Sequence, residues 1–180
     1  KINLKNPKIK ISYKIESLVK SKYLFLVVPS SSIRQVCKDL KSIIRNDCFI
    51  IICAKGIESE TGLLMSEVVS EFFPIENIAV LSGPNFASEI LEGLPAVTSI
   101  IAQDISFAME ICKKFSAEKF KLIPVSNLIK AQLFGTVKNV LAILCGVARG
   151  LKLGENFIAA LVTIGIREII QLAIHKNKNN

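Results

Sequence analysis

The sequence predicts an α/β chain, with a parallel sheet and its covering helices over residues 1–126 and an all-helical segment over 127–180. Three observations predict it. Short apolar runs rich in Ile, Val and Phe recur at Tyr23–Val28, Phe49–Ala54 and Ile78–Leu81, unbroken as in strands covered on both faces. Each is followed by a stretch of helical character, and successive strand-then-helix units build parallel sheets. After Asn127 the alternation stops and two long stretches carry apolar residues at helical spacing.

The elements follow in order. Residues 1–22 mix Lys, Asn and Ser, and the alternation Ile9-Lys10-Ile11 predicts a short edge strand. Tyr23–Val28 is a buried strand ended by Pro29, and Ser30 to Ser32 are placed to cap a helix running to about Ile44. Phe49–Ala54 repeats the strand pattern, Thr61 opens a helix through Phe73, and Ile78–Leu81 is a third strand ending in the turn Ser82-Gly83-Pro84. Weaker signals give a strand near Val97–Ala102, a helix over Ile105–Phe115 and a strand over Phe120–Val125. The helical part reads as Leu128–Ala148, a break at Gly150–Gly154, and Asn156 to about His175. Leu133, Val137, Val140, Leu141 and Leu144 form its core-facing stripe, with Gly135 and Gly146 permitting close packing.

Composition narrows the function classes. The net charge of +8 comes from nineteen lysines and four arginines, and the aromatics are mostly Phe inside apolar runs. Nucleic-acid binding favours clustered Arg with interleaved aromatics, so a solvated lysine surface is expected and no nucleic-acid partner. Five cysteines form no CxxC pair and the single histidine is His175, so no metal site is expected. An odd count of thiols in apolar surroundings fits a reducing, cytoplasmic setting. No apolar run approaches the roughly 18 residues a membrane helix needs. Phe157–Ile174, cut by Arg167, Glu168 and Gln171, reads as a core helix and not as a membrane span. The N-terminus has no signal region, and the missing initiator Met suggests a chain that starts midway.

Two lysines stand where chemistry would need them. Lys55 follows the apolar run Phe49–Ala54, and Gly56 after it admits a ligand close to the backbone. A lysine there pairs with a phosphate or polarises a carbonyl, unless it is a strand-end lysine reaching solvent. Lys138 is the sole charge between Lys130 and Arg149, so it faces a cleft, a partner or a snorkelling route. Between the two lies Ser82-Gly83-Pro84-Asn85-Phe86-Ala87, a strand-to-helix turn that aims free amides at an anion or is an ordinary turn. Pro29-Ser30, Lys55-Gly56 and Gly83-Pro84-Asn85 all emerge at the edge where open α/β sheets bind ligands.

At these motifs the chain resembles the bacterial NAD(P)-dependent glycerol-3-phosphate dehydrogenases. The matching stretches are Leu24–Ser30, Ala54-Lys55-Gly56-Ile57-Glu58, Leu81–Ala87, Val137-Lys138-Asn139-Val140 and Gly150–Asn156. The resemblance implies a partial Rossmann-type dinucleotide-binding domain over 1–126 and part of an all-helical substrate domain over 127–180. It implies NAD or NADP as cofactor, and dihydroxyacetone phosphate and sn-glycerol 3-phosphate as substrate and product, in glycerophospholipid synthesis. Carried over by position, Lys138 is the catalytic proton carrier. Lys55, Gly83, Asn85, Lys138 and Asn139 contact substrate, and Lys55, Ala87 and Pro29 contact the cofactor.

The departures set further expectations. The GxGxxG turn that seats the cofactor pyrophosphate in the family does not occur in these 180 residues. The family's substrate-site aspartate and Ser-Arg-Asn cluster would lie beyond Asn180, so a chain truncated at both ends is expected, with an incomplete cofactor site and no activity alone. Asn85 replaces the usual Ser or Thr, Gln132 stands for Glu, and Ile158 and Ile164 stand for basic residues. The competing reading is an inactive remnant or a non-enzymatic oligomerisation module, and exposed apolar helices make self-association expected in either case.

Overall fold

The computed structural model describes residues 8–178. Five strands, β1 (Tyr23–Leu26), β2 (Phe49–Ile52), β3 (Ile78–Ser82), β4 (Ala96–Ala102) and β5 (Phe120–Val125), lie in one sheet in chain order. Six helices accompany them: α1 (Ile33–Leu40), α2 (Met65–Ser70), α3 (Ala87–Leu91), α4 (Ile105–Phe115), α5 (Leu128–Gly150) and α6 (Glu155–Lys178). Because successive strand residues point to opposite faces, the apolar runs feed two layers at once. Ile50 and Ile52 face α1 and α2, packing with Ile33, Cys37, Leu40, Met65 and Val68. Ile51 faces α4 and packs with Phe107, Ala108 and Ile111.

The sheet is mixed and not wholly parallel. β1, β2 and β3 run parallel, β4 is antiparallel to β3, and β5 is again parallel to β4. The cause is the short link after β3. Its helix α3 has five residues, about 7–8 Å of rise, too short to carry the chain back along the roughly 16 Å of a five-residue strand. The chain therefore turns at Gly83–Phe86 and comes back beside β3, pairing Ser82 with Ser99.

Other expectations are corrected locally. Residues 9–11 form no strand; the first regular element is a 3-10 turn at Ile15–Leu18, and Lys1–Pro7 lie outside the described residues. Ser30–Ser32 form a 3-10 turn, and no Ser32 side-chain bond caps α1, which stops at Leu40. Thr61 opens no helix, because its hydroxyl donates to Glu58 Oε2 at 2.6 Å. α2 begins at Met65, where Glu67 Oε2 accepts from the Leu64 amide at 2.6 Å.

The two long helices pack on each other and on α2. Leu133, Ile169, Ala173 and Leu64 form their buried centre, with Val137 and Leu141 against it. Gly165 permits this approach, since a Cβ there would overlap the Leu141 methyls, whereas Gly146 faces open space and carries no packing role. Gln132 on α5 is buried and fully used. Its Oε1 accepts from the Ser66 amide at 3.0 Å, and its Nε2 donates to Ser66 Oγ and the Leu128 carbonyl. Lys176 on α6 pairs with Glu67 at 2.9 Å.

Neither long helix is a buried core helix. Val140, Ile143, Leu144, Val147, Ile164 and Leu172 are all exposed, which corrects both the stripe and the core-helix expectation. Leu128–Gly150 and Glu155–Lys176 are also long and apolar enough to cross a membrane, a test that core helices of soluble proteins pass as well.

Arg34 on α1 clamps the loop after β2 to α2. Its Nε and Nη2 donate to both Glu58 oxygens at 2.8 Å, and the guanidinium also pairs with Glu71. The bond from Arg34, with a smaller one from Thr61, holds the Glu58 carboxyl down to about 2 from its ordinary 4.5; Glu71 is lowered by Arg34 in the same sense. A carboxyl depressed on folding stabilises above its unfolded value and loses that contribution as pH falls through the folded one. The urea midpoint should therefore fall between pH 4.5 and about 2 in the wild type. Arg34→Met should lower the midpoint at pH 7 and flatten that acid slope, as chemical denaturation at stepped pH will show.

Candidate functional site

Three strand ends meet at one edge because β1, β2 and β3 are parallel and their connections leave on the same side. After β1 the chain passes Pro29 and Ser30, and after β2 it passes Lys55 and Gly56. These loops touch. Gly56 has φ +153°, and a Cβ on it would lie 2.8 Å from Ser30 Oγ, so glycine is needed on both counts.

Lys55 is half-buried and its Nζ donates to the Gly83 carbonyl at 3.2 Å. This bond ties the end of β2 to the turn after β3. Lys138, exposed on α5, comes close to Lys55 from the helical side. The Lys55 ammonium is consequently pushed below its ordinary value, first by burial and then by the charge of Lys138, with its side-chain contact adding to that. Two like charges held together would be relieved by an anion between or beside them.

A cavity of about 380 Å³ opens next to this pair, lined by Ser82, Gly83, Pro84, Phe134, Gly135 and Lys138 among others. A smaller recess is lined by Lys55, Gly56, Ser82, Gln132, Gly135 and Thr136. Among the described residues no carboxylate lines either space. Gly135 sits between them, and a Cβ there would lie 3.0 Å from Ser82 Oγ. A cavity of about 530 Å³, lined by Ser66, Glu67, Gln103, Ser126 and Asn127, contains neither lysine.

The structure thus brings Lys55, Gly83 and Lys138 together. Asn85 is one step away, its Nδ2 donating to Thr98 Oγ1 at 3.0 Å while its Oδ1 is buried without a partner. Asn139 is exposed beside Lys138, and Pro29 and Ala87 are exposed at the strand edge, outside the linings of these cavities. Ile164 is exposed on α6. Sequence reasoning missed Thr98, which is 2% exposed and packs against Gly83. A threonine within a strand reads as ordinary β-propensity, so no sequence signal marked it.

A Rossmann-like sheet with a cationic pair at its strand ends and helices behind it is the architecture of a dehydrogenase cofactor domain joined to a helical partner. The chain belongs to the NAD-dependent glycerol-3-phosphate dehydrogenase family: the family model for its N-terminus matches residues 4–108 and that for its C-terminus matches 127–180. The chain is 36% identical over 157 residues to glycerol-3-phosphate dehydrogenase (NAD(P)+) of Clostridium tetani, covering 87% of this chain and 45% of that protein. With the enzyme of the same name from Neorickettsia sennetsu it is 35% identical over 174 residues, 97% and 52% of the two chains. The solved glycerol-3-phosphate dehydrogenase of Coxiella burnetii superposes with a TM-score of 0.77 at 31% identity, covering 88% of this chain and 49% of that one. That of Plasmodium falciparum superposes at 0.81 and 26% identity, covering 88% and 45%. The chain spans about half the length of the curated relatives it matches.

Glycines in the two settings should respond oppositely. At Gly83 a new Cβ would lie 2.9 Å from the Thr98 Cα, a backbone atom that cannot step aside. Gly83→Ala should cost about 1–3 kcal/mol through overpacking. Gly146→Ala, in open space within α5, should be neutral or stabilise by up to about 1 kcal/mol through helix propensity. Chemical denaturation of the two variants checks the contrast.

Proposed function

We propose that the Lys55 and Lys138 pair receives a phosphorylated three-carbon ketone or alcohol, in the NAD(P)-dependent interconversion of dihydroxyacetone phosphate and sn-glycerol 3-phosphate. The observation that carries this reading is the convergence of two lysines on cavities lined by no carboxylate among the described residues. In this reading residues 1–126 form part of the dinucleotide-binding domain and 127–180 part of the substrate domain. Lys138 delivers a proton to the ketone oxygen, and Lys55 offsets the negative charge that develops there. Gly83, Asn85 and Asn139 hold the substrate chain. Lys55, Pro29 and Ala87 lie along the nicotinamide cofactor, which when bound supplies the hydride. The exposure of Pro29 and Ala87 at the strand edge supports placing the nicotinamide end there, and no GxGxxG turn for its pyrophosphate occurs in these 180 residues.

Calorimetric titration with dihydroxyacetone phosphate, NADH and NADPH tests this assignment. Lys55→Met and Lys138→Met should each weaken dihydroxyacetone phosphate binding by about tenfold or more, the loss of one charged hydrogen bond, and Lys130→Met should leave it unchanged. Equal loss in all three variants would refute the assignment. The pH dependence has a definite sign. Anion binding needs protonated Lys55, whose value is lowered, so affinity should fade with rising pH earlier than an ordinary lysine at 10.5 would allow.

The exposed apolar faces of α5 and α6 support a second property, self-association. Ile143 and Ile164 are 67% and 59% exposed, among ten open aliphatic side chains on these helices. The 180-residue chain should sediment as an oligomer and bind a hydrophobic dye. A dye-negative monomer with one cooperative melt would contradict this. A reducing, cytoplasmic setting belongs to the same proposal. Burial pushes the Cys37 and Cys53 thiols up to about 11, and alkylation of cell extracts should find all five cysteines unpaired.

A further inference from the structure

We propose that Thr98 is a positioning residue for Lys55, acting through the turn Ser82–Phe86. Three contacts form the chain of action. Thr98 lies in the middle of β4, 2% exposed, paired in register with Leu122. Its backbone and side chain fill the space beside Gly83 so closely that a Cβ on Gly83 would lie 2.9 Å from both Thr98 Cα and Cβ. Its Oγ1 accepts from Asn85 Nδ2 at 3.0 Å. Thr98 therefore grips the turn on both sides of Pro84, and Pro84 itself has a restricted backbone. The Gly83 carbonyl, fixed by that grip, accepts from Lys55 Nζ at 3.2 Å.

The grip has little redundancy. Asn85 Oδ1 is buried without a partner, so the bond to Thr98 is what orients the Asn85 amide. Removing the Thr98 hydroxyl leaves both ends of that amide unsatisfied, a cost the turn can escape by moving toward water. Once the turn moves, the Gly83 carbonyl no longer meets Lys55, and the lysine swings outward from burial and from Lys138. Cys53 is the other titratable group beside Lys55 and stays in place on the loop after β2. The functional meaning of this inference rests on the anion-site reading above.

The test follows the pH profile of Lys55 acetylation, read residue by residue by mass spectrometry on the 180-residue chain, with Lys22 as internal reference. Thr98→Val keeps the shape and deletes the hydroxyl, Thr98→Ser keeps the hydroxyl, and Asn85→Ala removes the donor. Far-UV circular dichroism and a thermal melt first establish that each variant is folded. The Lys55 midpoint should rise toward the ordinary lysine value by about half a pH unit or more in Thr98→Val and Asn85→Ala, and hold near wild type in Thr98→Ser. An unmoved midpoint in Thr98→Val overturns the proposal, as does a Thr98→Ser profile displaced as far as the valine one. If Thr98→Val does not fold, an unmoved midpoint in Asn85→Ala overturns it instead. A separate arm adds sn-glycerol 3-phosphate to the wild type. Failure of that compound to protect Lys55 sinks the anion-site reading, while the unliganded profiles still decide whether Thr98 places the lysine.

Discussion

Everything in this molecule hangs on the burial of three consecutive isoleucines in β2. Ile50, Ile51 and Ile52 are inaccessible to solvent, and they are the point where the α1/α2 layer and the α4 layer meet. A strand apolar on both faces can sit only inside a sheet, so β1 and β3 must flank it, and both do so in parallel. Parallel flanking in turn sends all three connections out at one edge. The lysine that ends the β2 run is delivered to that edge by the same apolar residues that bury the strand. Core and site share one cause.

The site is built by opposing costs. Lys55 gives up part of its hydration, lies close to a second ammonium and donates to the Gly83 carbonyl. Such a pair does not stabilise the fold. It persists because the surrounding backbone is determined by packing that has nothing to do with charge: Gly56 against Ser30, Gly83 against Thr98, Gly135 against Ser82. Three glycines let three elements approach closely enough to hold two cations near one another.

Much of this was legible in the residues. The strands at Tyr23, Phe49, Ile78 and Phe120 and the helix at Ile105–Phe115 follow from unbroken apolar runs and helical spacing, which are local signals. The reversal at β4 was not legible, because it depends on the length of α3 relative to β3, and Ala87–Leu91 carries no marker of how soon it stops. Thr61 misled for a physical reason: its hydroxyl serves Glu58, a residue brought near by a turn, and not a helix end. At the site, Lys55 and Lys138 stood out because a charge ending or interrupting an apolar segment needs an explanation. Thr98 did not, since its importance lies in a partner 13 positions away, and Gln132 was marked as a departure from the family's Glu without any sign of its partner 66 positions away.

The link made by Gln132 gives the helical pair an uneven attachment. Near the start of α5, a neutral amide binds Ser66 through both its oxygen and its nitrogen, a joint that neither salt nor proton concentration weakens directly. Near the end of α6, the joint is the ion pair of Lys176 with Glu67, partly open to solvent and subject to screening. Both land on α2, one residue apart. Beside their shared apolar centre, the two helices thus rest on α2 through one polar contact indifferent to the medium and one that ionic strength weakens. The electrolyte around the protein would then bear on the attachment of α6 and leave that of α5 untouched.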